Sequence, residues 1–291
     1  MPSGWTTTDA LADSINTVVA AARIVREFEG VMPQLVDTVT LEEGSGLSWT
    51  EVSYAQLTAM AITETTENDN PQQMSDTPFS ITPTMVQIHT FISDKVAARI
   101  SKAGYGKLGA LAMNAIQRKK DEDGITVLDG ATTSLVGAGS TLTSGHIRAA
   151  TKRITSNATE PAKGPIHAVL HGFQIKDVED EITAGVGTYP ITDGLTATVF
   201  KDNFSGVIGT AKIFEDGNIT IDSSSDAKGG VFAKEAIVLV QGEKLKQETR
   251  REPQRGGGGT SLWITDEYAY GERSSGNWLF ELYSDATSPT A

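Results

Sequence analysis

The sequence predicts an α+β protein on three observations. An amphipathic helical pattern stands alone at the start of the chain. Two strand-like segments joined by a long polar stretch come next, and a long helical pattern follows them. The second half mixes short strands, helices and turn signals, and it contains no internal repeat. Runs of helix and runs of strand within one chain favour the α+β class.

Composition excludes several classes of function. The 291 residues contain no cysteine, so disulfides, thiolate metal sites and cysteine nucleophiles are excluded. The net charge of -13 argues against a surface that wraps nucleic acid, but it is compatible with a wall that encloses nucleic acid. No apolar run is long enough to span a bilayer and no secretory signal is present. We therefore expect no membrane association and assembly in a cytoplasm.

The first thirty residues predict a helix with one apolar face. Thr6, Thr7 and Thr8 offer N-caps, and Gly30 offers a stop. A single helix cannot bury such a face by itself, so we expect it to lie on its own subunit or on a neighbour. The apolar residues recur at spacings of three and four: Leu11, Ile15, Val18, Val19, Ala22, Val25 and Phe28.

The next segment predicts a long hairpin. Residues 47–57, with Trp49 and Tyr54, form one strand candidate, and residues 78–91 form the other. The stretch between them, residues 64–77, is rich in Thr, Glu, Asn, Asp and Gln. A two-stranded ribbon of this composition has no core of its own, so we expect it to lie on another surface.

From Ser93 onward the pattern becomes helical. We predict a short helix, a glycine-marked break at residues 104–109, and a long helix that ends near Asp123. The basic cluster at residues 118–120 suits a helix C-terminus, and Gly124 is the predicted stop.

The second half predicts a mixture of elements. Helices are expected at residues 144–155 and 173–182, and the Asp216-Gly217 pair predicts a hairpin turn. Residues 256–259 predict a mobile glycine loop. Strands are expected at residues 166–170, 199–200, 206–214, 219–221, 236–240, 263–270 and 278–283.

Residues 104–109 match the dinucleotide-binding pattern G-x-G-x-x-G, and Asp129 follows at about the distance of a ribose-binding acid. The chemistry requires a buried strand before the first glycine. The preceding residues 94–103 are amphipathic and charged, which favours a helix. We therefore prefer a kink between two helices to a nucleotide site.

His167 and His171 have the spacing of zinc-peptidase ligands, but Ala168 stands where the general-base Glu of that motif belongs. A structural role is the preferred interpretation. The sequence contains neither a G-x-S-x-G elbow nor an EF-hand spacing in the acidic run at 177–181. We predict no catalytic residue, no cofactor and no metal, and therefore not an enzyme.

Residues 244–255 carry charges of both signs. A solvated surface and an ion-pair strip between subunits are equally compatible with this pattern, because complementary charge across an interface sets its register. The residues concerned include Arg250, Arg251, Glu252 and Arg255.

The order of these elements resembles the major capsid proteins of tailed bacteriophages, which have the HK97-like fold. Local phrases are also similar: residues 81–88 to the entry into the P-domain, 149–183 to the early A-domain, and 268–273 with 276–278 to the closing strands, where an aromatic-glycine hairpin is common. The resemblance implies an N-terminal arm (1–35), an E-loop hairpin with its return strand (36–90), a P-domain with the spine helix (91–139), an A-domain (140–235), and strands returning to the P-domain with a C-terminal tail (236–291).

The resemblance implies that the chain assembles with itself, as hexamers and pentamers, into an icosahedral phage head enclosing double-stranded DNA. Portal and a separate scaffolding protein are expected partners, and the virion is the expected location. An encapsulin-type nanocompartment shell is the alternative within the fold, and a nucleotide-binding oxidoreductase is an alternative from another class. Expected subunit contacts are Arg23 and Arg26 on the arm, Glu42, Glu43, Trp49 and Tyr54 on the hairpin, and Arg250, Arg251, Glu252 and Arg255.

Overall fold

The computed structural model describes residues 27–42, 44, 46–65, 71–98, 102–186, 206–255, 257–274 and 276–290. The helix predicted within the first thirty residues lies almost entirely outside them. The described chain begins with an arm segment, residues 27–36, which includes the short helix α1 (Met32–Leu35). A 3₁₀ turn, Lys234–Ala236, accompanies the longer elements described below.

The first sheet has five strands: β1 (Asp37–Thr40), β4 (Thr84–Ser93), β10 (Ile237–Gln241), β11 (Lys246–Arg251) and β12 (Gly259–Glu272). β12 lies at its centre, with β4 on one side and both β10 and β11 on the other. β1 pairs parallel with β10, and the remaining pairs are antiparallel. The five strands of this sheet thus come from distant parts of the sequence.

One face of this sheet is covered by a long helix, α3 (Lys102–Asp129), which follows the short helix α2 (Asp94–Ala97). Ala112 and Ile116 of α3 form an apolar cluster with Ile264 of β12. Lys120 reaches Asp266 at 2.6 Å, and both side chains are about nine-tenths buried. A buried, paired charge of this kind fixes the position of the helix on the sheet.

The predicted break at residues 104–109 is wrong, because α3 runs through these glycines without interruption. Leu, Ala, Met and Lys, which are strong helix formers, surround the glycines and offset their propensity cost of about 1 kcal/mol each. The predicted stop at Gly124 is also wrong. A Cβ at this position would lie 2.9 Å from the Cβ of Met32, so the glycine allows the arm segment to approach the helix.

The second sheet has six strands in the order β5-β13-β9-β6-β8-β7. The helices α4 (Ser144–Thr155) and α5 (Gly172–Val186) accompany it. Ile147, Ala150 and Ile154 of α4 are fully buried in the main core. The strands are β5 (Ser134–Val136), β6 (Ile166–Leu170), β7 (Val207–Ile208), β8 (Ala211–Glu215), β9 (Asp226–Ala233) and β13 (Leu279–Asp285).

Several predictions about this half are corrected. Asp216-Gly217 does not form a hairpin turn, since β8 pairs with β6 and β7 whereas the next strand, β9, pairs with β6 and β13. The closing strands β12 and β13 belong to different sheets and form no hairpin. Residues 219–221 contribute only an isolated bridge from Ile221 to Ala227. The strand predicted at 199–200 lies outside the described residues.

The predicted hairpin is present as a separate two-stranded sheet, formed by β2 (Trp49–Tyr54) and β3 (Asp76–Ile81). The second predicted strand, residues 78–91, is divided at Thr82-Pro83, after which β4 joins the first sheet. Proline has no N–H to donate to a strand ladder, so the chain changes sheets at this point.

Candidate subunit-contact surfaces

The hairpin, residues 47–81, carries most of the exposed apolar side chains of the described chain. Leu47 is 87% exposed and Tyr54 is 68% exposed. Among the described residues, seven of the eleven large apolar side chains that are exposed lie in this segment: Leu47, Val52, Tyr54, Leu57, Met60, Ile62 and Met74. Exposed apolar residues gathered in one extended segment mark a surface that another molecule covers.

The base of the hairpin is packed on the first sheet. Ile81 is buried against Val238 and Val240 of β10. The rings of Trp49 and Phe79 meet edge to face, with centroids 6.2 Å apart. The hairpin therefore has a fixed base, while its apolar residues further out remain exposed.

Arg273, directly after β12, ties this base to two other segments. Its guanidinium donates to Glu51 of β2 at 2.7 Å, to Asp37 of β1 at 3.1 Å, and to the carbonyl oxygen of Glu235 at 2.8 Å. It also lies over the ring of Trp49, 5.9 Å from the centroid. The planar guanidinium of Arg273 thus sets the position at which the hairpin projects from the first sheet.

Of the predicted contact residues on the arm and hairpin, Arg23, Arg26 and Glu43 lie outside the described residues. Glu42 is exposed between β1 and β2. Trp49 is half-buried at the hairpin base, and Tyr54 is exposed at the end of β2. Their role as subunit contacts stays a prediction.

The charged strip at residues 244–255 is largely the edge strand β11, whose six residues are all exposed. Arg251 forms a two-pronged pair with Asp94 of α2, at 2.7 and 3.2 Å. Arg255 pairs with Glu252 at 2.8 Å, and Glu252 also accepts from the hydroxyl of Ser261.

These contacts are within the subunit, so three of the four predicted residues of the strip already have partners. Arg250 has no ion pair among the described residues. Charges on an edge strand also prevent it from pairing with edges of other chains. Whether Arg250 contacts another subunit stays a prediction.

A second aromatic surface lies on the face of the first sheet that is opposite to α3. The rings of His89 and Trp263 are stacked there, with centroids 4.7 Å apart and planes 4° from parallel. Met85 lies four residues before His89 in β4 and therefore on the same face of the sheet, since alternate residues of a strand share a face. Its side chain is 68% exposed. Sequence periodicity missed this face because the strand partners were unknown.

The histidines considered as metal ligands are structural. His167 is buried in β6 against Phe214 and Phe232, with ring centroids 5.5 and 6.0 Å apart. Burial, followed by the charges of Lys212 and Lys234, lowers the pKa of His167, so the ring is neutral. His171 accepts a hydrogen bond from the backbone of Phe173.

The described residues hold no cluster of three or more histidine or acidic side chains that suits a metal ion. The dinucleotide pattern lies inside α3 and is not preceded by the strand that the chemistry requires. Among the described helices, none is both long and apolar enough to cross a membrane.

Sequence reasoning missed the outer apolar residues of the hairpin, and it missed Arg273. Leu57 and Met74 stand singly between polar residues, and Met60 and Ile62 lie in the short run 59–62, which lacks the apolar–polar alternation of a strand. The sequence feature that could have revealed them is the presence of large apolar side chains in a segment too polar to form a core. Arg273 had no signal, because its partners are distant in sequence.

No protein-family model matches the sequence, and no curated protein matches it. Solved structures do match. The capsid structure of the cyanophage P-SCSP1u aligns over 97% of this chain and 96% of its own, with a TM-score of 0.71 and 12% identity. The capsid of Ralstonia phage GP4 aligns over 98% and 100%, with a TM-score of 0.69 and 12% identity. The capsid asymmetric unit of cyanophage Pam1 aligns over 99% and 100%, with a TM-score of 0.70 and 8% identity.

These alignments cover nearly the whole chain, so they establish its fold. The predicted α+β fold of the HK97-like capsid type is confirmed, and with it the resemblance to the major capsid proteins of tailed phages. The boundaries predicted for arm, E-loop, P-domain and A-domain stay predictions.

Proposed function

We propose that this chain is the major capsid protein of a tailed bacteriophage. It assembles with itself, as hexamers and pentamers, into an icosahedral head that encloses double-stranded DNA. Its action is structural, not enzymatic, and its place is the virion, with assembly in the host cytoplasm. The observation that carries the proposal is the hairpin, which is fixed at its base and exposes apolar residues along its length.

A subunit alone leaves this surface in water. Burying a large apolar side chain stabilises a complex by about 1.5–3 kcal/mol, so the seven exposed side chains of the hairpin offer roughly 10 kcal/mol or more. Association costs roughly 4–15 kcal/mol in lost freedom and ordering. The hairpin alone is therefore close to balance, and a closed shell gains its stability by repeating the contact around each ring.

The same proposal includes the predicted partners. Portal and a separate scaffolding protein direct assembly, and the DNA is enclosed without sequence-specific contacts. The net charge of -13 suits a wall that does not trap a genome moving past it.

The proposal is tested with two matched variants of the full chain, each expressed alone and with the scaffolding protein of the same phage. In the first, Leu57→Asp and Met60→Asp place charges on the exposed part of the hairpin. In the second, Leu57→Met and Met60→Leu keep its apolar character and volume. Both sites are 61% exposed, so neither variant is expected to change the stability of the subunit by more than about 0.5 kcal/mol.

Negative-stain electron microscopy and analytical ultracentrifugation then measure assembly. We expect closed particles from the unchanged chain and from the apolar variant, and dispersed subunits or capsomers from the acidic variant. A chain that stays monomeric under all salt and pH conditions, with or without scaffold, would contradict the proposal. Particles formed equally well by the acidic variant would show that the exposed hairpin residues are not needed for assembly.

A further inference from the structure

Two buried carboxyl groups meet beneath the arm segment. Asp121 projects from the C-terminal half of α3, and Asp216 directly follows β8. Both residues are completely buried, and a hydrogen bond joins their side chains. Gly30 of the arm segment lies directly on this pair, because a Cβ added to it would come within 2.1 Å of the carboxyl carbon of Asp121.

Backbone groups of the arm donate to both carboxyls. The N–H of Met32 donates to Asp121 Oδ1 at 2.9 Å, and the N–H of Val31 donates to Asp216. Asn218 contributes two further donors: its side-chain amide to Asp121 Oδ2 at 2.8 Å and its N–H to Asp216 Oδ1 at 2.9 Å. The pair thus holds two successive residues of the arm segment against α3 and the loop after β8.

The donor pattern decides which carboxyl carries a proton. Both oxygens of Asp121 accept from N–H groups, so Asp121 acts as the acceptor. Asp216 Oδ2, in contrast, is buried and has no N–H or hydroxyl donor. A proton on this oxygen supplies the missing donor, and it hydrogen-bonds to Asp121. Without that proton two buried negative charges would lie side by side.

The surroundings of Asp216 favour the protonated form. Burial, and after it the neighbouring Asp121, raise the pKa of Asp216 to about 7, against the opposing effect of the N–H groups of Asn218 and Val31. Among the described residues, no Lys or Arg forms an ion pair with either carboxyl. On α3, Arg118 pairs with Glu27 and Glu122, Lys119 with Asp123, and Lys120 with Asp266.

In the part of the chain that the structure describes, the other elements packed around the pair add no compensating charge. From β12, Tyr270 faces Asp121, and burial followed by the charge of Asp121 raises the pKa of this phenol, so it stays neutral. From the arm segment, Glu27 is engaged by Arg118, and the ring of Phe28 lies against Gly217. Glu215, which precedes Asp216, approaches Gly172 instead.

We propose that Asp121 and Asp216 form a protonation-dependent clamp on the arm segment, closed while Asp216 carries a proton and loosened when Asp216 ionises. Ionisation places a second negative charge against Asp121 in a fully buried site. Because Gly30, Val31 and Met32 cover the pair, water reaches the carboxylates when the arm segment lifts. The clamp is a property of the single subunit and is independent of the proposed function.

The sign of the pH dependence follows from the raised pKa. A folded-state pKa above the ordinary value of about 3.9 means that the folded state binds a proton that the unfolded or opened state has lost. The clamp is therefore strongest below about pH 4. Its strength falls as pH rises toward the folded-state pKa of about 7, and it is constant above that value.

Hydrogen–deuterium exchange of the full chain, dissociated to subunits and followed from pH 4.5 to 8, tests the clamp. We expect the protection of the Val31 and Met32 amides, corrected for the intrinsic pH dependence of exchange, to fall by roughly tenfold per pH unit up to about pH 7. Protection that does not change over this range overturns the proposal.

Two substitutions separate the clamp from ordinary packing. In Asp216→Asn the side-chain amide takes the place of the proton, so protection should lose its pH dependence. In Asp121→Asn an amide NH₂ faces an N–H donor of Met32 or Asn218, so protection should be low at every pH. Asp180→Asn, on the exposed face of α5, is the matched control and should follow the unchanged chain.

An Asp216→Asn variant whose protection keeps the pH dependence of the unchanged chain contradicts the proposal. A second measurement covers the case in which this variant fails to fold. The carboxyl ¹³C resonance of Asp216 in the unchanged chain is expected to titrate near pH 7, and a titration below pH 5 overturns the clamp.

Discussion

Arg273 offers the sharpest test of how the hairpin is fixed. Its side chain is 19% exposed, whereas those of its carboxylate partners Glu51 and Asp37 are 40% and 43% exposed. Solvent therefore screens both ion pairs, and we assign about 0.5 kcal/mol to each. The hydrogen bond to the carbonyl oxygen of Glu235 adds about 1.5 kcal/mol, and the contact with Trp49 adds about 0.5 kcal/mol.

Arg273→Ala should accordingly destabilise the attachment of the hairpin by roughly 3 kcal/mol. Arg273→Lys should recover about half of that loss, because an ammonium group keeps the charge but cannot donate in three directions from one plane. The effect should be local. Amide exchange in β2 and β3 should accelerate by roughly a hundredfold in Arg273→Ala, while exchange in β6 and β9 should change little.

Arg250→Ala is the matched control, since this arginine is exposed and has no ion pair among the described residues. It should leave exchange in the hairpin unchanged. Two results would refute the reasoning. One is hairpin exchange in Arg273→Ala that equals that of Arg250→Ala, and the other is a lysine variant that matches the original chain in every respect.

Two further predictions concern stability. Because the pKa of Asp216 is raised to about 7, this group alone should lower the free energy of unfolding by roughly 4 kcal/mol between pH 4 and pH 7. Urea unfolding at a series of pH values measures it, and a curve for Asp216→Asn with the same slope would contradict it. Gln174 is fully buried in α5 and donates to the carbonyl oxygens of Ala227 and Leu282 and to the hydroxyl of Ser284. Gln174→Met should cost about 2–4 kcal/mol by leaving these acceptors unpaired, and thermal unfolding should show a lower Tm; an unchanged Tm would count against this account.

Local pattern was sufficient for elements whose signal lies within their own residues. The helix at 144–155 agrees with α4 at both ends, because its apolar residues Ile147 and Ile154 repeat at helical spacing. The all-apolar strand at 166–170 agrees with β6 for a similar reason. The hairpin was predicted from two strand candidates around a polar stretch, and its second strand was misjudged only where Pro83 redirects the chain.

Two predictions that depended on glycine, a helix stop and a hairpin turn, were wrong. Gly124 signals a helix stop when it is considered alone, yet it lies inside α3 and makes room for Met32 of the arm segment. Asp216-Gly217 signals a hairpin turn, yet Asp216 is a buried partner of Asp121 and Gly217 lies against Phe28. A small residue needed for a turn and one needed for close packing look identical in sequence.

By itself, the sequence determined the α+β class, most of the strands and helices, the absence of thiol chemistry, and the presence of a long hairpin that requires another surface. The tertiary structure decided which strands pair, that Arg273 joins the hairpin to β1, and that two carboxyls almost a hundred residues apart share one buried site. Pairing and charge burial depend on contacts between distant residues, and these contacts form only when the whole chain is packed. Periodicity records which side of an element is apolar, but not which other element covers it.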